Sequence, residues 1–539
     1  MSAQAKTSNT KGGLIITFLI SAGFLSACGG ERSDTNGGAG AEIIVNTPAR
    51  IVNQSAADYN NNQNGLITHA TLKKWLDNWE ENRPQGINGK LVILQQAQGP
   101  AGSGFIKPDN RNVFTYVENS WREPRSNGVI TIGTPGPGGI VLSGTGIDNL
   151  VKRYGIDLQN DLIVCAQGGA KNGTGNYMNQ GRCWYTLSYW GVAQQNLAVL
   201  NGNNAYLAEE AQLGAAYFTD TMIQPTAHPS PLVNRQVSTV KDLKVDNTAL
   251  YASVEDLINV LPLTDEPDNG DGVLLWDGRS LAEYSAGLQA WGTGGQVTNT
   301  PLADRTASVR NAGSRQSHPR GALHLEYSNV LDVVNGVYYS KDTLRNILHG
   351  ELSPAQQGFV SGGVNADYQY VQAGNAYQPG DTIYHFCETS ARSGTTLIAA
   401  AVILGIPSRL YDSGLVEWNS LTGKTGAAGV DKNGLEILPA DSPWNTAGLS
   451  APWFANTPAS INPRNAYADP DSLTTGQVLA TGPKITDPYA ADAQAVPRAD
   501  RAYKQPVIDT PASSGNNNGG TGSGGSSGGS VLPPNPCGG

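Results

Sequence analysis

Cys387 stands in the stretch TIYHFCETSARSGTTLIAAAVILG, residues 382–405, at the end of an apolar β-type run and just before an Ala- and Leu-rich segment. Arg392 follows it five residues later, across a polar loop of Glu388, Thr389, Ser390 and Ala391, with Ser393 next. A thiol at a strand end that leads into a loop and a helix faces loop N–H groups and a helix N-terminus. That setting favours an anion: a thiolate (the nucleophilic form of cysteine), a persulfide Cys–S–S⁻ or an oxyanion. Arg392 adds a fixed positive charge. The plainer reading is a buried structural cysteine, since free Cys is among the most buried residue types. The Thr, Ser and Arg content of the loop argues against it, because polar loops lie at the surface. His385, two residues earlier, shares a strand face with Cys387 and could tune the thiolate or simply pack.

The other cysteines are Cys28, Cys165, Cys183 and Cys537. Lys6 and Lys11 precede an apolar run, residues 14–27, that is too short for an ordinary transmembrane helix. The run ends in LSAC, residues 25–28, which resembles a bacterial lipobox. That resemblance implies a signal peptide over 1–27, lipidation of Cys28 and a flexible tether over 28–44. Gly29, with no Asp there, resembles lipoproteins sent on to the outer membrane. The expected location is the cell envelope, lipid-anchored at the outer membrane on its periplasmic or surface face. The alternative is a plain secretory signal that happens to contain a Cys. Outside the cytoplasm disulfides persist. Cys165 and Cys183 bracket a Gly/Asn-rich loop and could pair.

Composition narrows the classes further. The chain has 539 residues and a net charge of −10, with no Lys/Arg cluster, which argues against a nucleic-acid partner. Only 15% of residues are charged, against 66 Gly and 31 Pro, as in a loop-rich globular protein. The six His show neither HxxxH nor HExxH, so no metal site is expected, and no cofactor. GTPGPGG, residues 133–139, lacks the Lys and the following helix of a phosphate loop and reads as a turn. The ten Trp read mainly as core, with Trp276 and Trp291 as candidates to line a cleft.

The elements that must position Cys387 occur twice. ATLKKWLDNWEENRP (70–84) and KLVILQQ (90–96) correspond to ASVEDLINVLP (252–262) and GVLLWDGRS (272–280). GIDNLVKRYGIDLQNDLIVCAQGG (146–169) corresponds to YSKDTLRNILHG (339–350) with GDTIYHFCETS (380–390). Each half then runs into a helix and a short apolar strand, over 181–207 and 395–418. Apolar strands alternating with helices predict two α/β domains, each a mostly parallel sheet flanked by helices. The domains are read at 45–215 and 245–425, joined by a connection over 216–244. Residues 426–510 read as an irregular extension that wraps the surface and could meet a protein partner. Residues 511–539 are a Gly/Ser-rich tail.

Within the second half, VLLWDGRS, SHPRGA (317–322), TIYHFCETSARS and GIPSRLYDSGLVEW are together similar to a rhodanese domain. The family runs D-x-R, G-H-I-x-G-A, a strand ending in C-x-x-x-x-R, and a closing Gly-rich segment with Trp. Asp277 and Arg279 match the first motif, His318, Gly321 and Ala322 the second, Cys387 and Arg392 the third, and Gly405, Gly414 and Trp418 the close. The resemblance implies tandem rhodanese-like domains and sulfurtransferase chemistry of the thiosulfate or 3-mercaptopyruvate class. Cys387 would take sulfane sulfur from a small donor and pass it to a thiol or to cyanide. The amides of 388–393 would hold the persulfide and Arg392 would orient the donor, with Asp277, Arg279 and His318 in support. The first half lacks D-x-R and is expected to be non-catalytic, with Cys165 standing where the active Cys would. A Cys-to-Arg step of five residues suits a sulfur atom better than a phosphate, since related phosphatases place the Arg at the sixth.

The chain departs from the family at Glu388, where thiosulfate enzymes tend to be basic, and at Glu283, where many have Arg. Two carboxylates near the cleft would repel a dianionic donor. Arg305, Arg310 or Arg315, in the insertion over 288–316, could restore the positive charge. His324 and Glu326 read as packing or surface residues. A sulfur or selenium carrier without turnover, or an oxyanion-binding or redox-docking protein on the same scaffold, is the alternative function.

Overall fold

The computed structural model describes residues 43–126, 131–132, 139–221, 238–262, 270–284, 288–290, 296–298, 318–319, 321–364, 370–415, 417 and 493–505. The signal segment, Cys28, Trp291, Arg305, Arg310, Arg315, Trp418 and Cys537 lie outside these residues, as does the side chain of Glu283.

Each half builds one main sheet. In the first, β1 (Gly65–Ile67), β2 (Leu91–Ala97), β3 (Val113–Val117), β4 (Leu162–Gly168) and β5 (Leu197–Leu200) lie in the order β1-β5-β4-β2-β3. All four of its pairings are parallel. In the second half, β6 (Tyr251–Ala252), β7 (Val273–Asp277), β8 (Leu323–His324), β9 (Val360–Val364), β10 (Tyr370–Gln372), β11 (Thr382–Phe386) and β12 (Ser408–Tyr411) lie in the order β6-β12-β11-β7-β8-β9-β10. The first five strands of that order are parallel, and β9 and β10 extend the sheet antiparallel. The order first-fifth-fourth-second-third therefore appears twice, as the repeated sequence pattern predicts. The central strands are buried on both faces, which explains why they read as continuous apolar runs.

The helices are capped by local chemistry. α1 (His69–Asp77) begins at Thr68, whose side chain accepts from the Ala70 amide. α2 (Gly144–Tyr154) begins at Ser143, which accepts from Gly146, and stops at Gly155 in the left-handed region. α3 (Thr174–Trp190) buries Tyr177, Cys183, Trp184, Tyr185, Leu187, Tyr189 and Trp190. Apolar on most sides, it is an interior helix, and it joins the two halves into one core. α4 (Lys341–Leu348) buries Leu344, Ile347 and Leu348, the stripe of a helix lying on a sheet. α5 (Ser393–Leu397) continues into a wider helical segment over Ile398–Ile403, all of it buried.

α3 and α5 touch through glycines. A Cβ at Gly181 would lie 2.3 Å from the Gly394 carbonyl oxygen, so no larger residue fits without moving one helix. The extension, read from sequence as irregular, contributes a helix, α6 (Ala495–Lys504). Its buried Asp500 accepts from both terminal nitrogens of Arg125 (2.9 and 2.7 Å) and from the Tyr189 hydroxyl (2.6 Å). Arg501 pairs with Asp246 at 2.8 Å. The helix thereby ties the first half to the start of the second. Its few buried positions, Val496, Pro497 and Asp500, are too sparse and too polar to have announced a packed helix.

Candidate active site

Cys387 directly follows β11 and is only 1% exposed. The strand end is held from beneath by the Asp277–Arg279 turn. Asp277 accepts from the Arg279 amide (2.9 Å) and from its Nε (3.0 Å), and both side chains are fully buried. The intervening Gly278 amide donates to the carbonyl of Phe386, the residue before the cysteine, at 3.0 Å. The pair thus fixes the turn that carries Cys387. His324 Nε2 lies 2.7 Å from the Arg279 carbonyl oxygen, and burial holds its imidazole down to about 4. His318 is also buried, stacked on Tyr284 at 3.7 Å between ring centres, with Nδ1 2.7 Å from the Tyr284 carbonyl oxygen. It braces the second motif by packing.

Above the thiol, the loop closes by one unusual residue. Ser390 has φ +57°, the left-handed region that favours Gly, and its hydroxyl donates to the Tyr411 carbonyl at 2.6 Å. The hydroxyl bond anchors a backbone conformation that Gly adopts more readily. The Leu415 amide donates to the Cys387 carbonyl at 3.0 Å. Gly414, with φ +61°, lies so close that a Cβ would sit 2.4 Å from the Glu388 carbonyl oxygen. The closing motif is therefore a lid pressed onto the loop.

The Gly394 amide donates to Ala391 and the Thr395 amide to Arg392, starting the helix. The amides of Thr389, Ser390, Ala391 and Ser393 donate to no protein group among the described residues. The hydroxyls of Ser393 and Thr395 are buried without partners there as well. Thr389 and Ala391 are half-buried and Ser390 and Ser393 buried, and amides without a protein acceptor in a loop between a strand end and a helix can take an anion.

The charges differ from the sequence reading. Arg392 lies 3.7 Å from Glu388 within the loop, with both side chains nearly buried, so the acid that would repel a donor offsets the loop's own arginine. Two arginines of the first half arrive instead. Arg122 Nη1 donates to the Thr389 carbonyl at 3.1 Å. Arg182 forms a fully buried ion pair with Asp412, just past β12. The Val141 amide also donates to Asp412, at 2.8 Å. Burial, and then the neighbouring Arg182, pull the Arg122 guanidinium down to about 10, while Asp412 and the Cys387 thiol act in the opposite sense. No local spacing signals these arginines; Arg122 meets Thr389 across 267 residues of sequence.

Other candidates resolve as packing. His385 lies under α5, with Nδ1 2.9 Å from the Thr396 hydroxyl and Nε2 3.3 Å from that of Ser408; burial depresses it to about 3. Trp276 is core, its Nε1 donating to the Leu325 carbonyl and its ring meeting Phe359, and does not line a cleft.

The first half departs from expectation in register. Ile163, Val164 and Cys165 pair with the first three residues of β5, as Ile383, Tyr384 and His385 pair with those of β12. Cys165 therefore matches His385, and Gln167 occupies the position of Cys387. Cys165 is joined to Cys183 by a disulfide that ties β4 to α3.

No family model matches the chain, and no curated protein matches it in sequence. Among solved structures it is similar to Tum1 protein from Saccharomyces cerevisiae, at 13% identity over 66% of this chain and 95% of that one, TM-score 0.37. It is similar to 3-mercaptopyruvate sulfurtransferase from Leishmania major, at 12% identity over 65% and 73%, TM-score 0.33. It is also similar to the anaerobic ergothioneine biosynthesis enzyme from Chlorobium limicola, solved with trimethyl histidine, at 13% identity over 64% and 67%, TM-score 0.35.

Proposed function

We propose that the protein is a rhodanese-type sulfurtransferase that carries sulfane sulfur as a persulfide on Cys387. The observation that carries this reading is that, in the loop directly after Cys387, the amides of Thr389, Ser390, Ala391 and Ser393 have no protein acceptor among the described residues. Donors fixed in place before the reaction stabilise developing negative charge without reorganising. The Cys387 thiolate attacks the outer sulfur of the donor. The bond joining that sulfur to the rest of the donor breaks, S–S in thiosulfate or a polysulfide and C–S in 3-mercaptopyruvate, and its electron pair leaves with the remnant: sulfite, a shortened polysulfide, or the enolate of pyruvate, whose carbon takes up the thiol proton. The new Cys–S–S⁻ points its charge into the amides. An acceptor thiolate, or cyanide, then attacks the terminal sulfur, and the electron pair returns to Cys387 as thiolate.

Incubation with thiosulfate, 3-mercaptopyruvate or polysulfide is expected to add one sulfur atom to Cys387, seen by mass spectrometry, and a thiol to release it. Cys387→Ser is expected to abolish both the adduct and cyanide-dependent turnover. Full activity in that variant would refute the assignment.

The near-complete burial of Cys387 favours one second reading, a carrier that stores sulfur without turnover. It predicts an adduct that small thiols do not remove. On either reading the protein works in the cell envelope, held at the outer membrane by a lipid on Cys28. The Cys165–Cys183 disulfide supports an oxidising compartment, where the covering first half would shelter a reactive sulfur.

A further inference from the structure

Among the described residues, the charges nearest the Cys387 loop are paired with one another. Arg392 is offset by Glu388, and Arg182 by Asp412. Arg122 differs from both. It lies within salt-bridge distance of no carboxylate among the described residues, and one of its N–H groups goes to the Thr389 carbonyl. A guanidinium has five N–H donors, so four remain.

Its position is built. Arg122–Glu123 pairs antiparallel with Ile140–Val141, with Arg122 opposite Val141. The Val141 amide holds Asp412, which holds Arg182. One short ladder thus delivers Arg122 to the rim of the Cys387 loop and locks that ladder to the far side of the site. The Trp121 side chain anchors its base, with Nε1 donating to Gln96 at 2.6 Å and to the Glu118 carbonyl at 3.1 Å.

We propose that Arg122, contributed by the first half, is the specificity residue that binds the anionic group of the incoming sulfur donor. This rests on the sulfur-transfer reading above. A cation in no ion pair among the described residues, bonded to the loop that follows the thiol, fits a small donor whose sulfur is carried next to a carboxylate or a sulfonate-like oxyanion. Burial and Arg182 lower its guanidinium, and Asp412 and then the Cys387 thiol act in the opposite sense, which agrees with a place near the sulfur. It also answers the problem set by Glu388: the positive charge comes from the other domain.

The test uses the full chain with Arg122→Gln and Arg122→Lys. Sulfur loading of Cys387 is followed with two anionic donors, thiosulfate and 3-mercaptopyruvate, and one uncharged donor, an organic trisulfide RS–S–SR, whose central sulfur the thiolate attacks to give Cys–S–S–S–R as RS⁻ leaves, read by mass as that adduct. A charge-assisted hydrogen bond of about 1.5–3 kcal/mol corresponds to roughly 10- to 100-fold. Arg122→Gln should lose that much in kcat/KM with the anionic donors, chiefly through KM, while the trisulfide changes by less than about 3-fold. Arg122→Lys should recover part of the loss. Equal losses with all three donors would make Arg122 a brace for Thr389 and overturn the proposal, as would no loss. A second measurement needs no turnover: thiosulfate binding to Cys387→Ser by calorimetry, with and without Arg122→Gln. If no donor loads the wild type, yet binding to Cys387→Ser depends on Arg122, sulfur transfer falls and the anion site stands. If binding is the same with either residue at 122, the anion site falls whatever the donors do.

Discussion

The strand ends at Cys387 and at Gln167 occupy the same register in two sheets of the same strand order, and they meet opposite fates. At Gln167 the space beyond the strand is filled. Its Nε2 donates to Gln180 at 3.1 Å and to the Gly336 carbonyl at 2.6 Å, and Gly336 belongs to a hairpin of the second half. That hairpin also accepts from the Asn172 amide through Val334 and from the Asn203 amide through Asn335, at 2.9 and 2.8 Å. Gly336 approaches so closely that a Cβ would lie 2.0 Å from Gln167 Oε1. At Cys387 the amides are left unclaimed, and the other half sends an arginine. The difference teaches that one strand-end position can be filled by contacts from the other half while its equivalent keeps amides without a protein acceptor among the described residues.

The strongest way to separate the halves is acid. Burial holds His324 near 4 and His385 near 3, whereas the first half's His69 is only half-buried and only lowered. An imidazole depressed in the folded state is protonated first in the unfolded chain. Its contribution is therefore intact above about pH 6.5 and is lost as pH falls from there towards 4 for His324 and towards 3 for His385. The loss is on the order of 3 kcal/mol for His324 alone. Hydrogen exchange across pH 7 to 4 should show the second sheet losing protection before the first, and His324→Gln should flatten that slope. Equal loss in both sheets would break the comparison.

A smaller effect is expected at the loop residue with positive φ. Ser390→Val puts a β-branched side chain at φ +57° and removes the hydroxyl bond to Tyr411, a cost of about 2–3 kcal/mol, and it should cut sulfur loading sharply. Ser390→Gly should keep most of the loading, because the backbone is what holds the amides. In the first half, Asn172→Val, also at positive φ, should lower stability and leave loading unchanged. Denaturant melts paired with mass spectrometry separate these outcomes.

The smallest effect sharpens the meaning of the filled position. Gln167→Leu should cost about 1–2 kcal/mol through the unpaired Gly336 carbonyl and leave Cys387 chemistry alone. Gln167→Cys should take up no sulfur. A second loaded cysteine there would show that the filling does not decide reactivity.

Legibility followed contiguity. The loop from Cys387 to Ser393 could be read from the chain, because its chemistry lies in seven consecutive residues between a strand and a helix. The doubled helix-strand order could be read too, since periodicity is a local property. The register of the first half was missed by two residues, because a conspicuous Cys165 stood for the cleft while the unremarkable Gln167 faces it. His385 could be read from the chain either as a face neighbour of Cys387 or as packing, because strand alternation gives a side and not a depth.

The sequence by itself determined two α/β halves and a cysteine at a strand end, five residues before an arginine in a polar loop. Tertiary structure decided that Arg392 faces Glu388, that Arg122 meets the Thr389 carbonyl and pairs with no carboxylate among the described residues, and that α6 ties the halves together. The last two outcomes rest on contacts between residues hundreds of positions apart. Charge balance in a buried site is a sum over whatever neighbours folding brings within a few ångströms, and no local spacing encodes that sum.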